Sequence, residues 1–119
     1  MKVAISVTTG LEDPEKVTVA LLVAVGAAEH GHETLIFLTK EAVRLVLPSH
    51  AVGVACEGCP PLPSLMERYE VAGGRFLTCP ICFAARQLDR DTILPNAELG
   101  GTVQLWDWIG AEPATTFSF

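Results

Sequence analysis

The chain is poor in charge, and poorest in positive charge. Only 18% of its 119 residues are Asp, Glu, Lys or Arg; Lys plus Arg number eight, and the net charge is −6. A nucleic-acid surface needs a stripe of cations against phosphates, so nucleic acid is set aside as a partner. Long apolar runs are also missing. The longest nearly apolar stretch, Val17 to Ala28, is too short to span a bilayer, and no membrane partner is expected. The opening Met1-Lys2-Val3-Ala4-Ile5-Ser6-Val7 lacks the long apolar segment and cleavage site of a secretory leader, so the expected compartment is the cytoplasm. The chain has no repeat, low-complexity tract or linker, and its length suits a single domain over residues 1–119. Glycine-rich phosphate fingerprints are lacking too. Thr8-Thr9-Gly10 ahead of a helix reads as a turn rather than an anion cradle. None of His30, His32 and His50 lies near a cysteine in sequence, so no Cys/His catalytic pair can be argued. His30 and His32 flank Gly31 as a helix end and solvated turn.

What the chain has in quantity is apolar surface. Half of its residues are hydrophobic, more than a small monomer can hide, given how surface scales with volume. The excess is read as an oligomer interface. Trp106 and Trp108 on either side of Asp107 suit core or subunit packing.

The elements alternate. Lys2 to Val7 is a buried strand ending in a Thr/Gly loop. Asp13 then caps a helix led by Pro14 and running to about His30, where Gly31 supplies the left-handed turn. This helix is apolar almost all round and should be covered on more than one side. A second strand covers Glu33 to Thr39, and a short helix Glu41 to Leu47 stops at Pro48. Val52 to Ala55 is expected as a third strand, a helix capped by Ser64 as Leu65 to Val71, and Arg75 to Thr78 as a fourth strand. A helix from Pro80 to about Leu88, a final helix Leu99 to Ile109 and a closing strand Thr115 to Phe119 complete the chain. Strands alternating with helices predict an α/β fold with a parallel sheet covered on both faces.

Four cysteines form two Cys-x-x-Cys pairs, Cys56-Glu-Gly-Cys59 and Cys79-Pro-Ile-Cys82, each expected directly after a strand. Such positions lie at the carboxyl edge of a parallel sheet, where α/β proteins place their sites. If the two strands are neighbours, about 5 Å apart, Cys56 and Cys79 face one another across one pocket. Cys79 has the stronger claim to reactivity. It precedes Pro80 at a helix start, where free N–H groups and the helix dipole stabilise a thiolate. Cys82, one turn on, is placed to resolve an adduct on Cys79. Cys56 and Cys59 have no helix directly behind them. Arg75 and Arg86 flank the second pair, either as helpers that lower a thiol pKa or attract an anionic donor, or as solvated surface arginines. Nineteen residues separate Cys59 from Cys79, which also fits a four-cysteine zinc site or iron–sulfur cluster held by Cys56, Cys59, Cys79 and Cys82. Against a zinc ribbon, the second pair opens into the apolar Phe83, Ala84, Ala85 and Leu88, and the chain supplies its own core.

Taken in order, K-V-A-I-S-V-T-T-G, the apolar helix ending A-E-H-G-H-E, the strand T-L-I-F-L-T and the late L-W-D-W with T-T-F-S-F resemble the DsrE/DsrF-like family over nearly the whole chain. The resemblance implies a three-layer α/β/α domain with a mainly parallel five-stranded sheet, assembled into trimers or hexamers. It implies a cysteine after the fourth strand that accepts sulfur as a persulfide from a donor protein and passes it to an acceptor; the matching residue is Cys79. No cofactor is required for that chemistry. Cys56, Cys59 and Cys82 have no counterpart in the simple relay pattern, and they bring thiol–disulfide exchange and metal binding in as competing readings. The expectation is a cysteine-based sulfur carrier or sulfurtransferase using Cys79 and Cys82, with Cys56 and Cys59 as an auxiliary pair; the alternative is a four-cysteine metal module.

Overall fold

In the computed structural model, which describes all 119 residues, five strands form one sheet. They are β1 (Lys2–Val7), β2 (Glu33–Leu38), β3 (Arg75–Thr78), β4 (Ala97–Leu99) and β5 (Ala114–Ser118). Their order is β4-β3-β2-β1-β5 and every pairing is parallel. Four α-helices, α1 (Pro14–Glu29), α2 (Leu62–Val71), α3 (Pro80–Ala85) and α4 (Thr102–Ile109), and a 3₁₀ helix Lys40–Val46 supply the crossovers.

Strand alternation assigns the layers. Val3, Ile5 and Val7 of β1, Ile36 and Leu38 of β2 and Phe76 of β3 belong to one cluster. With them pack Val17, Leu21 and Val25 of α1, Leu62, Leu65 and Tyr69 of α2, Val43 and Val46 of the 3₁₀ helix and Phe83 of α3. The intervening residues point the other way, as period-2 alternation requires. Ala4, Ser6 and Phe37 border a cleft with Leu105 and Ile109 of α4, and the Lys2 ammonium donates to the Ile109 carbonyl at 3.3 Å. The sheet therefore has a thick helical layer on one face and α4 alone on the other.

Local chemistry explains most of the elements. The Asp13 carboxylate accepts the Lys16 N–H at 3.1 Å and caps α1, with Pro14 in its first turn. Gly31 at φ +88° ends the helix, as only glycine does without strain. Val19 and Leu22 on its outer side stay 43% and 41% exposed, so this apolar helix is covered on one side only by its own chain. Tyr69 is fully buried and donates to the Arg75 carbonyl at 2.6 Å, pinning the start of β3.

Five expectations change. Val52–Ala55 is not a strand: Gly53 takes φ +80°, the segment is turn followed by irregular backbone, and Val52 is 71% exposed. An unforeseen strand, Ala97–Leu99, brings the sheet to five, and Arg75–Thr78 is the third strand in chain order, not the fourth. Leu99 therefore belongs to β4, and the last helix starts at Thr102. Helix α2 begins at Leu62 with Pro61 at its cap position, ahead of Ser64. The helix after Cys79 ends at Ala85 rather than Leu88, because Gln87 turns at φ +55°.

Candidate functional site

Cys79 sits where the sequence placed it, between a strand and a helix. Its N–H donates to the Leu38 carbonyl at 3.0 Å, continuing the β2–β3 ladder one residue past the strand. Its carbonyl accepts the Phe83 N–H at 3.0 Å, the first bond of α3. Cys79 is thus the N-cap residue, with Pro80 in the first turn. Cys79 and Cys82 are both free thiols and both partly exposed.

The environment stabilises the Cys79 thiolate. Partial burial pushes the thiol pKa up, but the Cys82 N–H, the Cys82 thiol and the Ile81 N–H act in the opposite sense, and the net result lies below the ordinary cysteine value. Neither arginine contributes. Arg75 lies at the opposite end of β3, and Arg86 is engaged elsewhere. The Arg86 Nε pairs with Glu41 and its Nη1 donates to the Cys82 carbonyl at 3.1 Å. Glu41 also binds Arg44 at 3.0 Å. The two arginines hold the Glu41 carboxyl below its usual range, by their hydrogen bonds first. Arg86 therefore ties the C-terminal end of α3 to the 3₁₀ helix and takes no part in lowering the Cys79 pKa.

Beside Cys79 lies an open cleft of roughly 450 Å³. Phe37 and Thr39 form one wall, Pro80 and Ile81 another, and the start of α4, with Thr102, Val103 and Gln104, the third. The α4 wall was not foreseen. It depends on Gly100, where a Cβ would fall 2.7 Å from Leu77 Cδ1. The Gly100 N–H donates to the Thr78 carbonyl at 3.0 Å, and the Gly101 N–H to the Gln104 side chain at 2.8 Å. The signal in the sequence was the Gly100-Gly101 pair followed three residues on by Gln104, a tight turn into a capped helix.

The first cysteine pair lies elsewhere. Without a strand at Val52–Ala55, Cys56 and Cys59 fall in a loop ahead of α2, where they form a disulfide with Cα atoms 5.2 Å apart. Neither borders the cleft beside Cys79. The neighbours of β3 are β2 and β4, so the strand adjacency that would have joined the pairs does not exist. No group of three or more His, Cys, Asp or Glu side chains is gathered closely enough to hold a metal ion. The residues as placed therefore do not fit the four-cysteine metal set. No helix is long and apolar enough to cross a membrane.

A parallel sheet with a free thiol at its carboxyl edge, at the cap of a helix and open to a cleft, defines a small α/β protein whose candidate site is centred on a cysteine. The chain belongs to the DsrE/DsrF-like family, whose sequence profile matches residues 1–115. Its fold is that of the ychN protein from E. coli, with a TM-score of 0.78 at 18% identity over 100% of this chain and 99% of that one. It also matches MTH1491 from Methanobacterium thermoautotrophicum, a protein of unknown function, with a TM-score of 0.68 at 12% identity over 99% and 98% of the two chains. A search of curated protein sequences gives no match.

Proposed function

We propose that this protein handles sulfur through Cys79, as a persulfide or thiol–disulfide carrier, with Cys82 as the resolving thiol. The observation that carries the reading is the position of Cys79: a free, partly exposed thiol of lowered pKa, capping α3 and lining a cleft. Family membership agrees with a sulfur-related role.

The chemistry balances with two thiols. The Cys79 thiolate attacks the outer sulfur of a donor persulfide, forms a new S–S bond and releases the donor as a thiolate. An acceptor thiolate then takes the outer sulfur and frees Cys79. Alternatively the Cys82 thiolate attacks the Cys79 sulfur, closing a Cys79–Cys82 disulfide and expelling hydrosulfide; two thiols are oxidised and one sulfane sulfur is reduced. The donor and acceptor are proteins or small molecules bearing a persulfide or thiol, and no resident cofactor enters either step.

Copies of the chain assemble through the apolar surface that a single chain leaves bare. Val19 and Leu22 on α1, Val103 and Trp106 on α4 and Phe117 on the edge strand β5 are all exposed. A trimer or hexamer is the expected state in sedimentation.

Intact-mass analysis after exposure of the protein, without prior reductant, to a sulfane-sulfur donor tests the assignment. Cys79→Ser is expected to gain no sulfur. Cys82→Ser is expected to accumulate the Cys79 adduct that wild type resolves. Sulfur uptake by Cys79→Ser equal to that of wild type would overturn the reading.

A further inference from the structure

We propose that Cys56–Cys59 is a second redox site, a surface disulfide that accepts two electrons from a dithiol and is separate from the Cys79 cleft. Four observations carry this. First, the bond closes a ring across a sequence separation of only three, which constrains the unfolded chain far less than a long-range crosslink. Second, the loop is already closed without it. The Leu62 N–H donates to the Val54 carbonyl at 2.9 Å and the Cys59 N–H to the Cys56 carbonyl at 3.1 Å. Leu62 is fully buried and Val54 packs against the core, so both ends of the loop stay anchored when the disulfide opens. Third, the tip stands clear of the protein. Gly58 takes φ +77°, nothing lies within 4 Å of where its Cβ would be, and Ala55, Glu57 and Gly58 are exposed. A partner can therefore reach the bond. Fourth, Pro60 and Pro61 stiffen the connection to α2, so opening the ring need not disturb that helix. A disulfide that is redundant as a stitch, yet presented at an open turn, is built for exchange.

The reaction is ordinary dithiol exchange. One thiolate of the partner attacks one sulfur of the Cys56–Cys59 bond; that bond breaks, a mixed disulfide forms, and the released cysteine thiolate takes a proton from water. The second partner thiolate then attacks its own sulfur in the mixed disulfide and frees the other cysteine. The partner leaves as a disulfide, and Cys56 and Cys59 remain as two thiols.

Trypsin separates the two pairs, because cleavage after Arg44 and Arg68 isolates Cys56 and Cys59 in residues 45–68, and cleavage after Arg75 and Arg86 isolates Cys79 and Cys82 in residues 76–86. The full chain is equilibrated in glutathione buffers of graded reduced-to-oxidised ratio, quenched with an alkylating agent and digested. Peptide 45–68 is expected to pass from disulfide to doubly alkylated across these ratios, with unchanged far-UV circular dichroism. The Tm should fall by less than about 8 °C, the most that so short a ring contributes. A bond that stays closed at every glutathione ratio and opens only in denaturant would overturn the proposal. So would loss of the helical signal on reduction. The double variant Cys56→Ser/Cys59→Ser is expected to stay folded, and its loss of helical structure would also count against the proposal. Because peptide 76–86 is read separately, failure here leaves the Cys79 assignment standing, and failure there leaves this one.

Discussion

Cys79-Pro-Ile-Cys82 and Cys56-Glu-Gly-Cys59 have the same spacing, yet one is a pair of free thiols opening a helix and the other a disulfide in a loop. The difference comes from what stands on either side. Cys79 is held by a strand ladder on its N–H and a helix on its carbonyl, which brings the Ile81 and Cys82 N–H groups to bear on its sulfur. Cys56 has no strand before it and no helix directly after it. Backbone context, not the motif, thus decides whether a Cys-x-x-Cys pair stands as free thiols at a helix cap or as a disulfide in a loop.

One substitution strikes the framework that holds Cys79. A Cβ on Gly74 would lie 2.1 Å from the Tyr69 ring, and Tyr69 pins β3. Gly74→Ala is expected to destabilise the fold by about 3 kcal/mol, as overpacking of a closed core does. It should erase the unusual reactivity of Cys79 before it alters the Val54–Leu62 loop. Urea unfolding with peptide-resolved alkylation checks both parts.

A smaller effect concerns the hydrogen-bond donors that hold the Cys79 thiolate. The Cys82 thiol is among the groups that lower the Cys79 pKa. A lowered pKa means that the thiolate persists to lower pH, so the alkylation rate of Cys79 should reach its plateau at lower pH than that of a free cysteine. Cys82→Ala, which removes that donor, should move the midpoint of that profile upward, and Cys56→Ser/Cys59→Ser should leave it in place. Because the two thiols interact, the wild-type profile belongs to the pair.

The smallest effects concern the arginines. Arg75→Gln should leave the profile unchanged, since Arg75 sits at the far end of β3. Arg86→Gln should release the α3 tie to Glu41 and raise hydrogen exchange across residues 80–85, with little change in the Cys79 midpoint.

The contrast between the pairs also explains what was legible in the sequence. Cys79 could be placed because its determinants are local: a β-rich Arg75–Thr78 before it and Pro80 after it. For the same reason β1, α1 with its Asp13 cap, and β2 were legible. Cys56 was misplaced because Val52–Ala55 has the composition of a strand but no partner in the sheet, and Gly53 turns the chain away. The strand that does fill the edge, Ala97–Leu99, has three residues and no β-branched side chain. It is held by tertiary bonds instead: the Phe76 N–H donates to the Asn96 carbonyl at 2.9 Å, and the Asn96 side-chain amide to the Gly74 carbonyl at 2.9 Å. Such partners are distant in sequence, so neither β4 nor the cleft wall built on Gly100 was visible there.

Under the proposed function, Cys79 and not the other pair takes up sulfur. The most direct measurement exposes wild-type protein, without prior reductant, to a sulfane-sulfur donor and compares its two cysteine-bearing tryptic peptides by mass. An added sulfur on residues 76–86, with 45–68 remaining an unmodified disulfide, is the predicted result. Added sulfur on 45–68 with none on 76–86 would contradict it.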